Sequence, residues 1–322
     1  MEDGRPRHHA AAATGMGSLA MMRFGKSIAL TLAFVLAGAA ARDAAAGVVV
    51  TVDGNTAHAE ISLTDGSGAT YDADVTITFD SPVNLTPDSL GLSAQLINPN
   101  DPLVTSRLPL NLQNIDPAFP VLITVEPPNL GWLFTSGFDG NEDGTGNLSF
   151  LNTYEFEIHT HDLVYADQSP YRIVKAPIGG VFFDFTEDIL PGSVRARGRE
   201  GAFSQFMVVK DSYTDPVTML LLVAVPKLLA LQVRVLAAVL TDVVNLDLVR
   251  LLADITADLA LLGLDLTGAI EALDQLIAEV TAHAGVDIAN QWNAEHTVTN
   301  DAGEILGLAQ TLRFTLVRLQ TL

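Results

Sequence analysis

Three stretches of the chain carry side chains whose types and spacing could do chemistry. In Tyr154-Glu155-Phe-Glu157-Ile-His159-Thr-His161 the residues alternate, so Glu155, Glu157, His159 and His161 share one face of an extended strand. Two imidazoles at i and i+2, with Glu157 two residues earlier, can face one transition-metal ion and leave a coordination position for water. Such an ion would serve metal-activated hydrolysis or simple ion capture. The same alternation is what any half-buried strand shows with Tyr154, Phe156 and Ile158 on its core face, so a solvated polar face is the simpler explanation.

The second stretch is Asp139-Gly-Asn141-Glu-Asp143-Gly144-Thr145-Gly-Asn147. Oxygen-bearing side chains stand at positions 1, 3, 5 and 9 of a tight loop, with glycine at 6, which resembles the first three-quarters of a calcium loop. Position 12 is Phe150, where such a loop needs a bidentate glutamate. Calcium is the one cofactor this pattern suggests; an ordinary Asp/Gly/Asn turn accounts for the same composition. Third, Arg195, Arg197 and Arg199 alternate along a strand, where their guanidinium forks could hold a carboxylate or a sulfated sugar. Cross-strand pairing with nearby acidic residues is the simpler use. No nucleophile elbow, phosphate-binding glycine loop, dinucleotide fingerprint or H-E-x-x-H accompanies them.

Composition narrows the chemistry further. The 322 residues include 38 acidic and 17 basic side chains and no cysteine. A net charge of −21 would repel a phosphate backbone, which disfavours nucleic acid as a partner. The lack of cysteine excludes disulfides, thiolate metal sites and a cysteine nucleophile. With 48% hydrophobic and 17% charged residues, the chain is expected to fold around real cores.

Positioning these groups requires two kinds of element. Arg23 and Lys26 precede the apolar run 27–37, and Ala44-Ala45-Ala46 offers small residues for cleavage, so residues 1–46 read as a secretory signal peptide whose true start is Met21 or Met22. Residues 48–322 keep 12 basic and 35 acidic side chains, a net of −23. From 48 to 212 the hydrophobic period is two, clearest in Ala69–Phe79, and Asp53-Gly54-Asn55 and Asp65-Gly66-Ser67-Gly68 have hairpin-turn chemistry. An antiparallel β-sandwich-like domain is expected there. Seven of the fifteen prolines lie between Pro82 and Pro120, predicting a long irregular loop with one helical turn after Thr86-Pro87.

After Asp215-Pro216 the period becomes helical, and residues 216–322 read as a small helical bundle, giving an α+β chain in two domains. The apolar segment Val217–Leu240 reads as a core helix with Lys227 and Arg234 on one face rather than a stable membrane span after signal cleavage. Asp247, Arg250, Asp254 and Asp258 form a polar stripe opposite Leu248, Leu251, Leu252, Ile255 and Leu259. Thr267 is the expected cap of the next helix and Asp301 of the last.

The order of elements, together with Val181-Phe-Phe-Asp-Phe-Thr-Glu187, Arg195-Ala-Arg-Gly-Arg-Glu-Gly-Ala-Phe-Ser-Gln-Phe206 and Ile277-Ala-Glu-Val-Thr-Ala-His-Ala-Gly285, resembles uncharacterised secreted bacterial proteins. That resemblance implies export and supplies no activity. The expected function is a non-catalytic binding or adhesion protein, secreted or periplasmic, whose partner is an envelope or extracellular protein or glycan. The rival is a metal-dependent hydrolase centred on Glu157, His159 and His161. N-terminal sequencing of the exported chain is expected to begin just after Ala46; retention of the 27–37 run in the mature protein would contradict the export reading.

Overall fold

The computed structural model describes residues 45–129, 147–166, 168–260 and 264–322. The chain opens with a meander of β1 (Ala45–Asp53), β2 (Thr56–Thr64) and β3 (Thr70–Val83). Alternation drives it: Ala57, Ala59, Ile61 and Leu63 of β2 and Ala73, Val75, Ile77 and Phe79 of β3 are buried, while the residues between them face outward. The Asp65 carboxylate closes the β2–β3 loop by accepting from the amides of Ser67 and Ala69.

The proline-rich stretch is more ordered than its composition predicts. Thr86 caps α1 (Pro87–Leu90) through a reciprocal bond with Ser89, as expected for the Thr-Pro start. It then supplies β4 (Leu92–Leu96), α2 (Pro102–Thr105), a 3₁₀ turn (Leu110–Leu112) and β5 (Val121–Val125). Here β4 pairs with β5 because the prolines fall between the strands rather than within them.

There follow β6 (Ser149–Val164), β7 (Tyr171–Ala176), β8 (Phe183–Asp184), β9 (Thr186–Leu190), β10 (Ser193–Glu200) and β11 (Gln205–Lys210). The helical part contains α3 (Pro216–Ala237), α4 (Asp242–Asp258), α5 (Leu266–His283) and α6 (Asp301–Gln320), with a short β12 (Gln291–Asn293) before the last helix. One antiparallel sheet runs β1-β2-β3-β6-β10-β9, with β12 paired to β6; the other runs β4-β5-β11-β7-β8. The fold is therefore α+β, built on two antiparallel sheets. The expected all-helical tail differs in one respect, since β12 returns to pair with the start of β6.

One apolar cluster takes side chains from both sheets, including Ile77 and Phe156 from the first and Ile123, Ile173 and Phe206 from the second. At its end Phe79, Phe150, Tyr154, Phe203 and Trp292 pack ring on ring, with centroids 4.6–5.9 Å apart. Each such pair adds about 0.5–1.5 kcal/mol beyond the area it buries.

A second cluster lies among the helices. The α4 stripe falls as predicted: Leu248, Leu251, Leu252 and Ile255 are buried, and Arg250 and Asp254 are exposed. Two caps differ from the sequence reading. Asp265, rather than Thr267, accepts from Gly268 N, and Asn300, rather than Asp301, accepts from Gly303 N. In both cases the residue one or two places earlier holds the non-helical geometry that aims its oxygen at the free amides. Asp301 is then released to pair with Arg234.

Helix α6 presses on the first sheet through Gly303 and Gly307. A Cβ at these positions would meet Asn152 O at 2.4 Å and Arg199 O at 2.6 Å.

Helix α3 is by length and composition apolar enough to cross a membrane, with 44% of its most apolar window buried. Pro226 has no N–H to donate, and a π turn at Leu220–Ala224 precedes it. Lys227 is buried, and its ammonium donates to Asp184 at 2.7 Å and to the hydroxyls of Thr311 and Thr315 at 2.8 and 2.9 Å. Burial alone would raise the Asp184 carboxyl; the charges of Lys227 and Arg172 and the Thr186 hydroxyl hold it below its ordinary value. Asp184→Asn leaves the ammonium buried without its counter-charge and is expected to cost about 3–5 kcal/mol at pH 7 in urea unfolding. Because the folded carboxyl titrates below its unfolded value of 3.8, the gap between the two proteins should narrow as pH falls through that region.

Candidate functional site

The outward face of the first sheet carries the polar residues singled out from the sequence. Antiparallel pairing places Thr76, Glu157 and Arg197 in one cross-strand row and Asp74, His159 and Arg195 in the next. Glu157 lies outside the imidazole cluster: Arg197 Nη2 donates to its Oε2 at 2.8 Å. Asp74 takes the place expected for it. Its Oδ2 lies 3.4 Å from His159 Nδ1 and 3.0 Å from His161 Nε2. This partner was hidden because Asp74 is 85 residues before His159 and becomes its neighbour through strand register alone.

The three arginines divide. Arg197 also approaches Glu155 at 3.2 Å, and Arg199 lies 3.1 Å from Glu155 and 3.5 Å from Glu187. Burial raises the Glu187 carboxyl, with Arg199 working against it. Arg195 is exposed and makes no ion pair among the described residues. Arg199 borders a cavity of about 370 Å³ shared with the polar Asp80, Thr153 and Asn290 and with the apolar Ile277 and Leu306. Of the calcium-loop candidates, Asp139, Asn141, Asp143 and Thr145 lie outside the described residues. Asn147 is described, and its side-chain amide donates to Glu295.

A second concavity lies elsewhere and was not anticipated. A cavity of about 550 Å³ opens between the second sheet, the β10–β11 turn and helices α3 and α6. Its wall is mainly apolar, with Leu112, Phe183, Phe203, Val223 and Leu308; Leu222, Pro226 and Ala230 of α3 are exposed along its edge. Helical spacing puts these last three on one side of α3.

Two buried ion pairs line the same wall, Lys175 with Glu200 and Lys227 with Asp184. Burial raises the Glu200 carboxyl despite Lys175, and Glu304 adds to the rise; burial also lowers the Lys227 ammonium. Apolar walls with a few oriented charges are the ordinary make-up of a small-molecule site. Sequence reading had one signal for it, Lys227 inside an apolar helix, but Asp184, the carboxylate that meets it, comes from a strand 43 residues earlier.

Residues 30–320 match the model of a family described as Family of unknown function (DUF6689), and the chain belongs to that family. No curated protein and no solved structure matches it.

The two classes of charge contact should behave differently. Arg197→Ala opens a partly exposed ladder and is expected to cost under about 1 kcal/mol in urea unfolding, diminishing further with salt. A loss as large as that of a buried pair would contradict the reading of this face as a solvated ladder.

Proposed function

We propose that this member of the DUF6689 family is an exported, non-catalytic binding protein. In this reading a β-sandwich-like layer pair and a helical bundle enclose the site between them. The ligand is a small, mainly apolar molecule with one polar end. The apolar body would lie against Phe183, Phe203 and Val223, and the polar end would face Lys175, Glu200 and Lys227.

One observation supports this best: a cavity of about 550 Å³ whose wall is mostly apolar yet holds two buried ion pairs. A cavity of that size falls within the range of small-molecule sites. The buried charges are already paired, so they can orient a polar group by hydrogen bonding without being neutralised by it. The acidic composition and the signal-like N-terminus agree with an exported binder. Glu157 held by Arg197 weakens the hydrolase alternative, because a water-activating carboxylate needs to face the metal.

The test uses anilinonaphthalene sulfonate, an apolar ring system with an anionic end, titrated into the mature protein by fluorescence and calorimetry. One saturable equivalent is expected, with affinity reduced tenfold or more in Ala230→Trp, which places an indole at the edge of the cavity. Unsaturable binding, or binding equal in the variant, would overturn the assignment.

A further inference from the structure

We propose that Asp74, His159 and His161 form a transition-metal site on the outward face of the first sheet, separate from the cavity. The three side chains come from adjacent antiparallel strands: Asp74 of β3 stands directly opposite His159 of β6, and His161 follows two residues on, along the same face. Cross-strand and diagonal neighbours lie close enough for a short carboxylate to reach both imidazoles.

The donor atoms all lie within 4.8 Å of one another. Two of the separations are 3.4 Å, from His159 Nδ1 to Asp74 Oδ2, and 3.0 Å, from His161 Nε2 to the same oxygen. A tetrahedral ion with bonds of about 2.0–2.1 Å holds its donors about 3.3–3.4 Å apart, so these positions need little adjustment.

The second coordination layer is also present. The hydroxyl of Ser193 lies against His159 Nε2. When Nε2 donates to that hydroxyl, Nδ1 carries the lone pair and points at the carboxylate oxygen. Two electron-rich atoms then face each other at 3.4 Å, an arrangement that a cation between them relieves. Either a metal ion or a proton can fill that role, and the two are separable by experiment.

Donor chemistry decides the class of ion. Two imidazoles and one carboxylate suit zinc, nickel or copper, whereas calcium takes six to eight oxygens. His161 and Asp74 are nearly half exposed, which leaves a further position for water or a partner's donor group. Glu60, opposite Asp74 on β2, adds negative charge to the neighbourhood, and Arg195, opposite His159, subtracts from it.

The experiment is calorimetric titration of zinc chloride into the chelator-stripped mature protein at pH 7.5, repeated with calcium chloride. One equivalent of zinc is expected, with no calcium uptake at these residues. His161→Gln and Asp74→Asn should each weaken zinc binding at least tenfold, and Ser193→Ala should weaken it through loss of imidazole orientation. His161 is exposed, so His161→Gln keeps the fold, and an unchanged thermal melt verifies this. His283→Ala, on α5, should bind as the parent does. Absence of zinc binding, or variants at Asp74 and His161 that bind like the parent, would overturn the site.

Discussion

The ammonium of Lys227 ties helices to a sheet edge. An amine on an apolar helix cannot be buried unless its charge and all three donors are met. Asp184 from the edge strand β8 meets the charge, and Thr311 and Thr315 of α6 meet the remaining donors. The interaction therefore fixes α3 against both a sheet edge and the last helix. Thr311 also donates to the Asp184 carbonyl, closing the network. A parallel hub forms at Asp211, which lies 2.6 Å from Arg318 of α6 and 3.5 Å from the buried Arg172 of β7. Burial, with Arg318 nearby, pushes Arg172 down to about 10, so even this guanidinium is held at a cost that its partners offset.

These pairs also explain why the cavity has its composition. Helices that meet a sheet through apolar side chains alone would close on it at ordinary packing density. Here α3 approaches with Lys227 and α6 with Glu304, while β7 and β10 supply Lys175 and Glu200. Paired charges keep a particular geometry and resist collapse, and Phe183, Phe203 and Val223 line the space left between them. The first sheet uses charge differently. On its outward face Arg197, Arg199, Glu155 and Glu157 interleave across strands where water screens them, and there they organise a surface more than they stabilise a fold.

Periodic features were legible in the chain itself. The alternation of β2 and β3, the Thr86-Pro87 helical start, the α4 stripe and the switch from period two to helical period after Pro216 all appear where local pattern places them. Local pattern was less reliable at helix starts, because neighbouring Asp, Asn and Thr residues offer similar capping oxygens; Asp265 and Asn300 took the roles expected of Thr267 and Asp301. It also missed β4 within the prolines and β12 among the helices, both short strands whose stability comes from partners distant in the chain.

By itself, then, the sequence determined which faces are apolar, where the chain turns and which chemistries its missing cysteines exclude, since these follow from side-chain type and spacing within one element. Tertiary structure alone decided which charges meet. Glu157 went to Arg197, Asp74 to His159 and His161, and Lys227 to Asp184, because sheet register and helix docking set distances between residues that the linear chain leaves unrelated.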